Sequence, residues 1–294
     1  MPSLSTLFDA AEARWAQVRL ERPEAAAALP LHQALLTRQI GLLEALAGEA
    51  WAPAPGDTEA ALAPLRAGHP AFGGTSEPSL AVCAGHLSGF AADLAAGGAG
   101  PAAAKVIAAL ESGAVDPVAL LLASWRRRPD RMNELIRGAG LNLQVAWLIG
   151  ELATAPLAHL RQGALLEASE GLRDAVTSWD RGQCPACGAW PAMAEYFLGD
   201  RLNRCAYCAA TWPLSSPRCT YCGESGADFR TIVADRDRPG RRLELCRACG
   251  GYLKTIDVGR PTPFPLLAIE DLASQDLDGA AMSHGFRRTP LGRP

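Results

Sequence analysis

The cysteines of this 294-residue chain are concentrated in one short stretch. A Cys-x-x-Cys turn holds two sulfur atoms at about the separation of two corners of a tetrahedron around one ion, so two such turns complete a four-sulfur site. Packing cysteines have no reason to adopt that spacing repeatedly, so the pattern predicts metal binding. Eight of the nine cysteines occupy 66 consecutive residues as four such pairs: Cys184/Cys187, Cys205/Cys208, Cys219/Cys222 and Cys246/Cys249.

The N-terminus argues against the alternative of four disulfides. Its first residues include Asp9 and Glu12 and lack the basic and apolar regions of a secretory signal. Disulfides are rare in the reducing cytosol, where cysteine clusters usually hold metal. We therefore expect a cytoplasmic protein whose thiolates bind ions.

The spacing between the pairs predicts which cysteines share an ion. Seventeen residues separate the first two pairs and 23 separate the last two, and each interval can form a hairpin, turning near Gly199-Asp200 or Pro239-Gly240. Consecutive pairing follows, giving two metal ions per chain. Zinc in such a closed site would be structural, whereas iron could cycle one electron, and the spacing leaves both metals open. The predicted sets are Cys184, Cys187, Cys205 and Cys208 for one ion, and Cys219, Cys222, Cys246 and Cys249 for the other.

Hydrophobic periodicity divides the chain into an α part and a small β part. Apolar residues three and four positions apart predict helices over 4–18, 31–46, 80–94, 118–125, 141–152 and 157–179. Short apolar pieces at 193–198, 229–234 and 252–256 predict strands, and 268–282 predicts one further helix. We therefore predict an all-α helical bundle over 1–181 and a tandem metal-binding β domain over 182–260. The β domain would hold two rubredoxin-like or zinc-ribbon modules, about 184–213 and 214–260, followed by a C-terminal helix and tail over 261–294.

Composition excludes several classes of protein. With 49% hydrophobic residues, 20% charged residues and a net charge of −3, the chain is neither wholly disordered nor a polycation. Residues 184–260 hold 11 Lys and Arg against 8 Asp and Glu, and each four-thiolate site adds about −2, which argues against nucleic-acid binding. The uncharged stretch 138–150 is too short for a membrane span and predicts a buried helix.

Other candidate functional residues have simpler structural interpretations. Cys83 lies on an apolar helical face and is predicted to be a buried thiol. Tyr207, Trp212 and Tyr221 lie in or beside the cysteine turns, where they could face a partner or pack around the metal. The sequence shows no nucleophile with a base, no paired carboxylates and no open metal position, so we expect no enzyme activity.

The cysteine-rich segment resembles the FdhE family of formate dehydrogenase accessory proteins. The resemblance implies a cytoplasmic maturation factor that acts on the catalytic subunit of a membrane-bound respiratory formate dehydrogenase before its export. It also implies rubredoxin-like sites that can hold iron. Ile269-Glu270-Asp271 departs from the two adjacent aspartates of the family pattern, and the 235–240 hairpin is this chain's own. The matching segments are Cys-Pro-Ala-Cys-Gly at 184–188, Arg-Cys-Ala-Tyr-Cys at 204–208, Arg-Cys-Thr-Tyr-Cys at 218–222, Cys-Arg-Ala-Cys-Gly-Gly-Tyr-Leu-Lys at 246–254, Glu-Asp-Leu-Ala-Ser at 270–274 and Leu-Asp at 277–278.

Two other functions fit the same cysteine pattern. A rubredoxin-like electron carrier would explain the metal sites but not some 180 residues of helix. A zinc-ribbon nucleic-acid-binding protein would need a basic surface that the charge count does not provide. We therefore expect the formate dehydrogenase catalytic subunit as partner, with no nucleic acid and no stable membrane insertion, and a homodimer stays open as the assembly.

Overall fold

The computed structural model describes residues 4–47, 53–214 and 217–288. Within them the chain forms two compact units, one of residues 4–47, 53–54 and 76–164 and the other of residues 55–75, 165–214 and 217–288. The end of the predicted tail, 289–294, lies outside the described residues. The helices are α1 Leu4–Glu21, α2 Leu29–Ala47, α3 Asp57–Arg66, α4 Ala81–Leu94, α5 Gly100–Glu111, α6 Pro117–Trp125, α7 Pro129–Arg137, α8 Leu143–Ala168, α9 Glu170–Thr177, α10 Leu267–Ala273 and α11 Gln275–Ser283.

The first unit is helical and has its own apolar core. Its helices bury the residues that repeat at three- and four-residue spacing, because these form one stripe on each helix. Cys83 is fully buried on α4, as predicted from its apolar surroundings. The largest side chains buried to within 2% exposure in this unit are Trp15, Ile40, Leu42, Leu46, Leu87, Phe90, Leu120, Leu121 and Met132.

The helix boundaries differ from the predicted ones mainly at prolines. Pro101 and Pro129 lie in the first turns of α5 and α7, which the periodicity did not mark. A proline at this position loses no helical hydrogen bond, because the first N–H groups of a helix have no partner within it. Pro156 lies inside the 26-residue α8, so the predicted break between residues 152 and 157 is absent. The interruption comes at Ser169, whose hydroxyl caps α9 by accepting a hydrogen bond from the Leu172 N–H.

The second unit contains one six-stranded sheet in the order β3-β2-β1-β6-β5-β4. All neighbouring strands are antiparallel except β1 and β6, which pair in parallel at the centre. The three predicted strands correspond to β1, β4 and β6, whereas β2, β3 and β5 were not marked by apolar runs. The strands are β1 Pro191–Phe197, β2 Asp200–Cys205, β3 Thr211–Pro213, β4 Phe229–Val233, β5 Arg241–Cys246 and β6 Tyr252–Asp257.

The sheet is a tandem repeat of one three-stranded module. In each module a cysteine turn leads into a hairpin, the second strand ends on the first cysteine of another turn, and a third strand follows. Pro191 faces Cys205 across the first hairpin, and Phe229 faces Cys246 across the second. The predicted fold class is confirmed, because N-terminal helices are followed by a small mixed sheet with two four-cysteine clusters.

The C-terminal helices α10 and α11 complete the second unit. The predicted single helix over 268–282 is divided at Ser274, whose hydroxyl donates to the Glu270 carbonyl. Leu277 and Ala281 of α11 pack with Leu243 of β5 and Tyr252 of β6. One face of the second module is thereby covered by helix.

The compact units do not follow the predicted division at residue 181. Helices α3 and α9 belong to the unit that contains the sheet, as do the residues from Leu165 onward. Helical periodicity identifies an element but does not reveal the neighbour on which its apolar face packs. Among the described residues, no helix combines the length and the apolar character needed to cross a membrane.

Candidate metal centres

All four cysteine turns have the same backbone hydrogen bonds around the first cysteine. The N–H of Cys184 donates to the carbonyl of Ala189 at 2.8 Å, and the corresponding N–H groups of Cys205, Cys219 and Cys246 donate to the carbonyl five residues on at 2.7–3.0 Å. This bonding closes the chain tightly around the two sulfur atoms of each turn.

The residue after each second cysteine adopts a positive φ angle. Glycine fills this position in three turns, with φ between 70° and 80°, because it has no Cβ to clash. Ala209 takes the same position in the second turn with φ 54°. The replacement of glycine by Ala209 therefore leaves the turn geometry intact. The three glycines are Gly188, Gly223 and Gly250.

The structure brings the eight cysteines into two groups of four. In each group the ligand atoms lie within 4.8 Å of one another. The first two Cys-x-x-Cys turns form one group and the last two form the other, as the predicted hairpins between them implied. Four sulfur contacts run between turns: 3.6 Å from Cys184 to Cys208, 3.5 Å from Cys187 to Cys205, 3.7 Å from Cys219 to Cys249 and 3.6 Å from Cys222 to Cys246.

These distances fit a tetrahedral four-thiolate site. A metal–sulfur bond of about 2.3 Å places the sulfur atoms of a regular tetrahedron about 3.8 Å apart. The donor set is all soft sulfur, which suits zinc or iron. Each group could therefore hold one metal ion, and such an ion would supply charge compensation, with one-electron chemistry in addition if it is iron.

The electrostatics of the first group also fit a cation. Burial raises the pKa of the Cys184 and Cys208 thiols well above the usual range. Burial also opposes ionisation of Cys205, but hydrogen bonds from the other three thiols and from the Cys208 N–H outweigh it and hold the pKa of Cys205 well below that range. Four thiolates need a positive charge among them, because a buried negative charge is otherwise strongly disfavoured.

The first cysteine cluster, Cys184, Cys187, Cys205 and Cys208, is closed to solvent. All four ligands are buried. The segment that follows α3 covers it, since the Ala71 and Phe72 N–H groups donate to the carbonyls of Pro185 and Ala186 at 2.8 and 2.9 Å.

Two of the three aromatic residues predicted near the metal are buried beside the first cluster. Tyr207 is 2% exposed, and Trp212 is fully buried with its indole N–H donating to the Arg181 carbonyl at 3.0 Å. These two side chains therefore pack within the protein. Tyr221 is half-buried and makes an edge-on contact with Trp190.

The second cysteine cluster, Cys219, Cys222, Cys246 and Cys249, is partly open. Cys219 and Cys246 are buried, but Cys222 is exposed and Cys249 is half-buried. Gly251 allows the two turns to approach, because a Cβ there would lie 3.0 Å from the Tyr221 ring and 3.2 Å from the Cys249 sulfur. The two clusters therefore share ligand geometry and differ in exposure.

Buried ion pairs support the strands that carry the cysteines. Arg204, next to Cys205, pairs with Glu195 of β1, which also accepts from the Thr262 N–H at 3.2 Å. Arg201 of β2 donates two hydrogen bonds to the Glu244 carboxylate of β5, at 2.5 and 2.6 Å, and a third to the Thr220 hydroxyl at 2.9 Å. The sequence does not indicate that these ion pairs are buried, because charged residues in short strands normally indicate a solvent-facing side.

Comparison with known proteins finds one similar structure whose family matches the resemblance of the cysteine-rich segment. No protein-family model matches the chain, and no curated protein sequence matches it. Its structure is similar to the crystal structure of the FdhE protein from Pseudomonas aeruginosa, with 26% sequence identity, a TM-score of 0.58 and coverage of 98% of this chain and 94% of that one. The chain therefore has an FdhE-family fold, and the resemblance found in the cysteine-rich segment is confirmed.

Proposed function

We propose, on the premise of the FdhE-family fold, that this chain is an accessory protein in the maturation of respiratory formate dehydrogenase. It would bind the catalytic subunit in the cytoplasm and support its maturation before export, without catalysing a reaction itself. Two ions, iron or zinc, would be held by the two cysteine clusters.

The extent of the structural similarity carries this proposal. It includes 98% of the chain and therefore both the helices and the metal modules, whereas the sequence resemblance rested on the cysteine-rich segment. A small metal module shared with unrelated proteins would match only over its own length. An accessory role also agrees with closed four-sulfur geometry, which offers no open coordination position for a substrate.

Gene deletion in a host with a respiratory formate dehydrogenase tests the proposal. We expect formate oxidation to be lost while immunoblots still detect the catalytic polypeptide. The wild-type gene should restore activity, and so should Cys83→Ala, which alters a cysteine outside both clusters. The double variant Cys246→Ser, Cys249→Ser should not. Normal activity in the deletion strain, with no second copy of the gene, would refute the proposed role.

Affinity purification tests the proposed partner directly. Tagged full-length protein should co-purify with the catalytic subunit, identified by mass spectrometry, and should lose it after metal chelation. Retention of the subunit by chelated protein would show that the metal modules do not support binding.

The exposed ligand of the second cluster favours one other function, that of a rubredoxin-like electron carrier. One-electron transfer needs a metal close to the surface, and Cys222 meets that condition. Iron-loaded protein would then show visible absorbance that bleaches and recovers reversibly at a defined midpoint potential. Loss of the metal on reduction would exclude this function.

A further inference from the structure

The two cysteine clusters differ in how the residues between their ligands are covered. In the first cluster Pro185, Ala186 and Tyr207 are buried and Ala206 is exposed, and the Ala71 and Phe72 N–H groups donate to the carbonyls of Pro185 and Ala186. In the second cluster Arg247 and Ala248, which lie between Cys246 and Cys249, are exposed. All four ligands of the first cluster are buried, whereas Cys222 of the second is exposed and Cys249 is half-buried, so an incoming molecule has better access to the second set of sulfur atoms than to the first.

Cys222 is the least restrained ligand of the second cluster. Residue 223 after it is exposed, as are residues 225–228. These residues lead to β4, the edge strand of the sheet, whose last four residues are also exposed. Displacement of the Cys222 sulfur would therefore disturb little packed structure.

The other end of the same turn is fixed. Cys219 is 4% exposed, and the adjacent Thr220 is 5% exposed and accepts a hydrogen bond from Arg201. Cys246 is 1% exposed and ends β5 in register with Phe229. An ion at this site would thus keep two firm ligands while Cys222 leaves.

We propose that the second cluster is the site at which this protein exchanges metal with its surroundings, with Cys222 as the ligand that an external thiolate or chelator displaces. The incoming donor would form a bond to the ion, the bond from the ion to the Cys222 sulfur would break, and Cys222 would leave as a thiolate. No electron is transferred. The ion of the first cluster stays enclosed and structural. This inference rests on the proposed metal binding and not on the proposed formate dehydrogenase partner.

Metal release from the zinc-loaded full-length protein tests the inference. After elemental analysis establishes two ions per chain, the chromogenic chelator 4-(2-pyridylazo)resorcinol is added and release is followed by absorbance. We expect two phases of one ion each, with the first at least about tenfold faster, because access of the attacking group controls substitution at thiolate sites. The variant Cys222→Ser should lack the fast phase and keep the slow one. The matched variant Cys187→Ser should lack the slow phase and keep the fast one.

Alkylation of the wild-type protein provides a second measurement that needs no variant. Holoprotein is treated with iodoacetamide and its cysteine peptides are quantified over time by mass spectrometry. Cys222 should be modified first among the eight cluster cysteines, and the four cysteines of the first cluster last. Release of both ions at one rate, or earlier modification of Cys187 or Cys205, would overturn this inference alone. A chain that binds no ion at the second cluster would overturn the proposed metal binding as well.

Discussion

Lys254 is a charged residue with no exposed surface on its side chain. Its ammonium group lies 2.5 Å from Asp271 and 2.9 Å from Asp278, and it donates to the Asp271 carbonyl at 2.8 Å. Burial opposes ionisation of Asp271, but Lys254 and Arg288 outweigh it and lower the pKa of that carboxyl. Lys254 therefore connects β6 to α10 and α11 by charge as well as by packing.

Replacement of Lys254 should lower the free energy of unfolding strongly. Lys254→Met removes the fully buried cation that Asp271 and Asp278 share and leaves them paired with the more exposed Arg288. Removing one partner of a buried ion pair costs about 3 kcal/mol. The only other lysine, Lys105, is exposed on α5 and offers a matched control. Lys105→Met should change the free energy of unfolding by no more than about 0.5 kcal/mol. Urea titration of the metal-loaded proteins would reveal the difference, and equal midpoints would contradict it.

Gly182 is a position at which a single added carbon atom should lower the stability of the fold. A Cβ there would overlap the carbonyl oxygen of Thr220, which lies in the first turn of the second module. Gly182→Ala should therefore push apart the segments that begin the two modules, at a cost of about 2 kcal/mol. Gly259→Ala serves as control, since no atom lies within 4 Å of a Cβ at that position. Thermal unfolding of both variants would test this, and a Gly182→Ala protein as stable as the control would show that the segments can separate freely.

At the scale of elements, each hairpin connects the two cysteine turns of one candidate metal site. Replacing Cys246 and Cys249 by serine removes two ligands at the end of β5, so the second cluster should lose its ion. The first cluster takes no ligand from that module and should keep its ion. Elemental analysis should then give one metal per chain. A value near zero or two would show that the sites are not independent.

The sequence predicted the elements that follow simple patterns and missed those that depend on neighbours. β1, β4 and β6 are apolar enough to be recognised, whereas β2 carries two buried polar residues, Asn203, which accepts a hydrogen bond from Arg201, and Arg204, which pairs with Glu195. α5 and α7 were missed because a proline at the start of a helix looks like a break. Such elements are determined by tertiary partners that no local window contains.

The grouping of the eight cysteines into two sets could be predicted from the sequence, but the surroundings of each set could not. Cys-x-x-Cys spacing and a central turn are local features, and they sufficed to assign the eight cysteines to two sets. The exposure of Cys222 depends on what covers each turn, and the cover over the first turn comes from Ala71 and Phe72, more than 100 residues earlier. The difference between the two clusters is therefore visible only in the folded chain.

At the scale of the whole molecule, metal and fold should be coupled in one unit only. A small β unit with few large apolar side chains takes much of its folding free energy from its ions. The helical unit has a separate core that includes Trp15 and Phe90 and contains no candidate metal ligand among its described residues. Complete metal removal should leave most of the helical circular dichroism and open residues 182–288 to proteolysis. Loss of the entire helical signal would show that the helices depend on the metal.

The parallel join between β1 and β6 links two copies of one module in the same direction, first strand to third strand. A head-to-tail joint of this kind is a translation rather than a twofold rotation, so the array has no geometric reason to end after two copies. β4 is the first strand of the second module and lies at the edge of the sheet, so its free edge corresponds to the edge of β1 that pairs with β6. Ile232 and Val233 of β4 are more than 40% exposed. At the other end, β3 is only three residues long and gives a further copy little to bind, which is a common way to protect a sheet edge. If β3 were lengthened to match β6, it could pair with β4 of another molecule in the way that β6 pairs with β1. The protein would then be expected to associate into fibres.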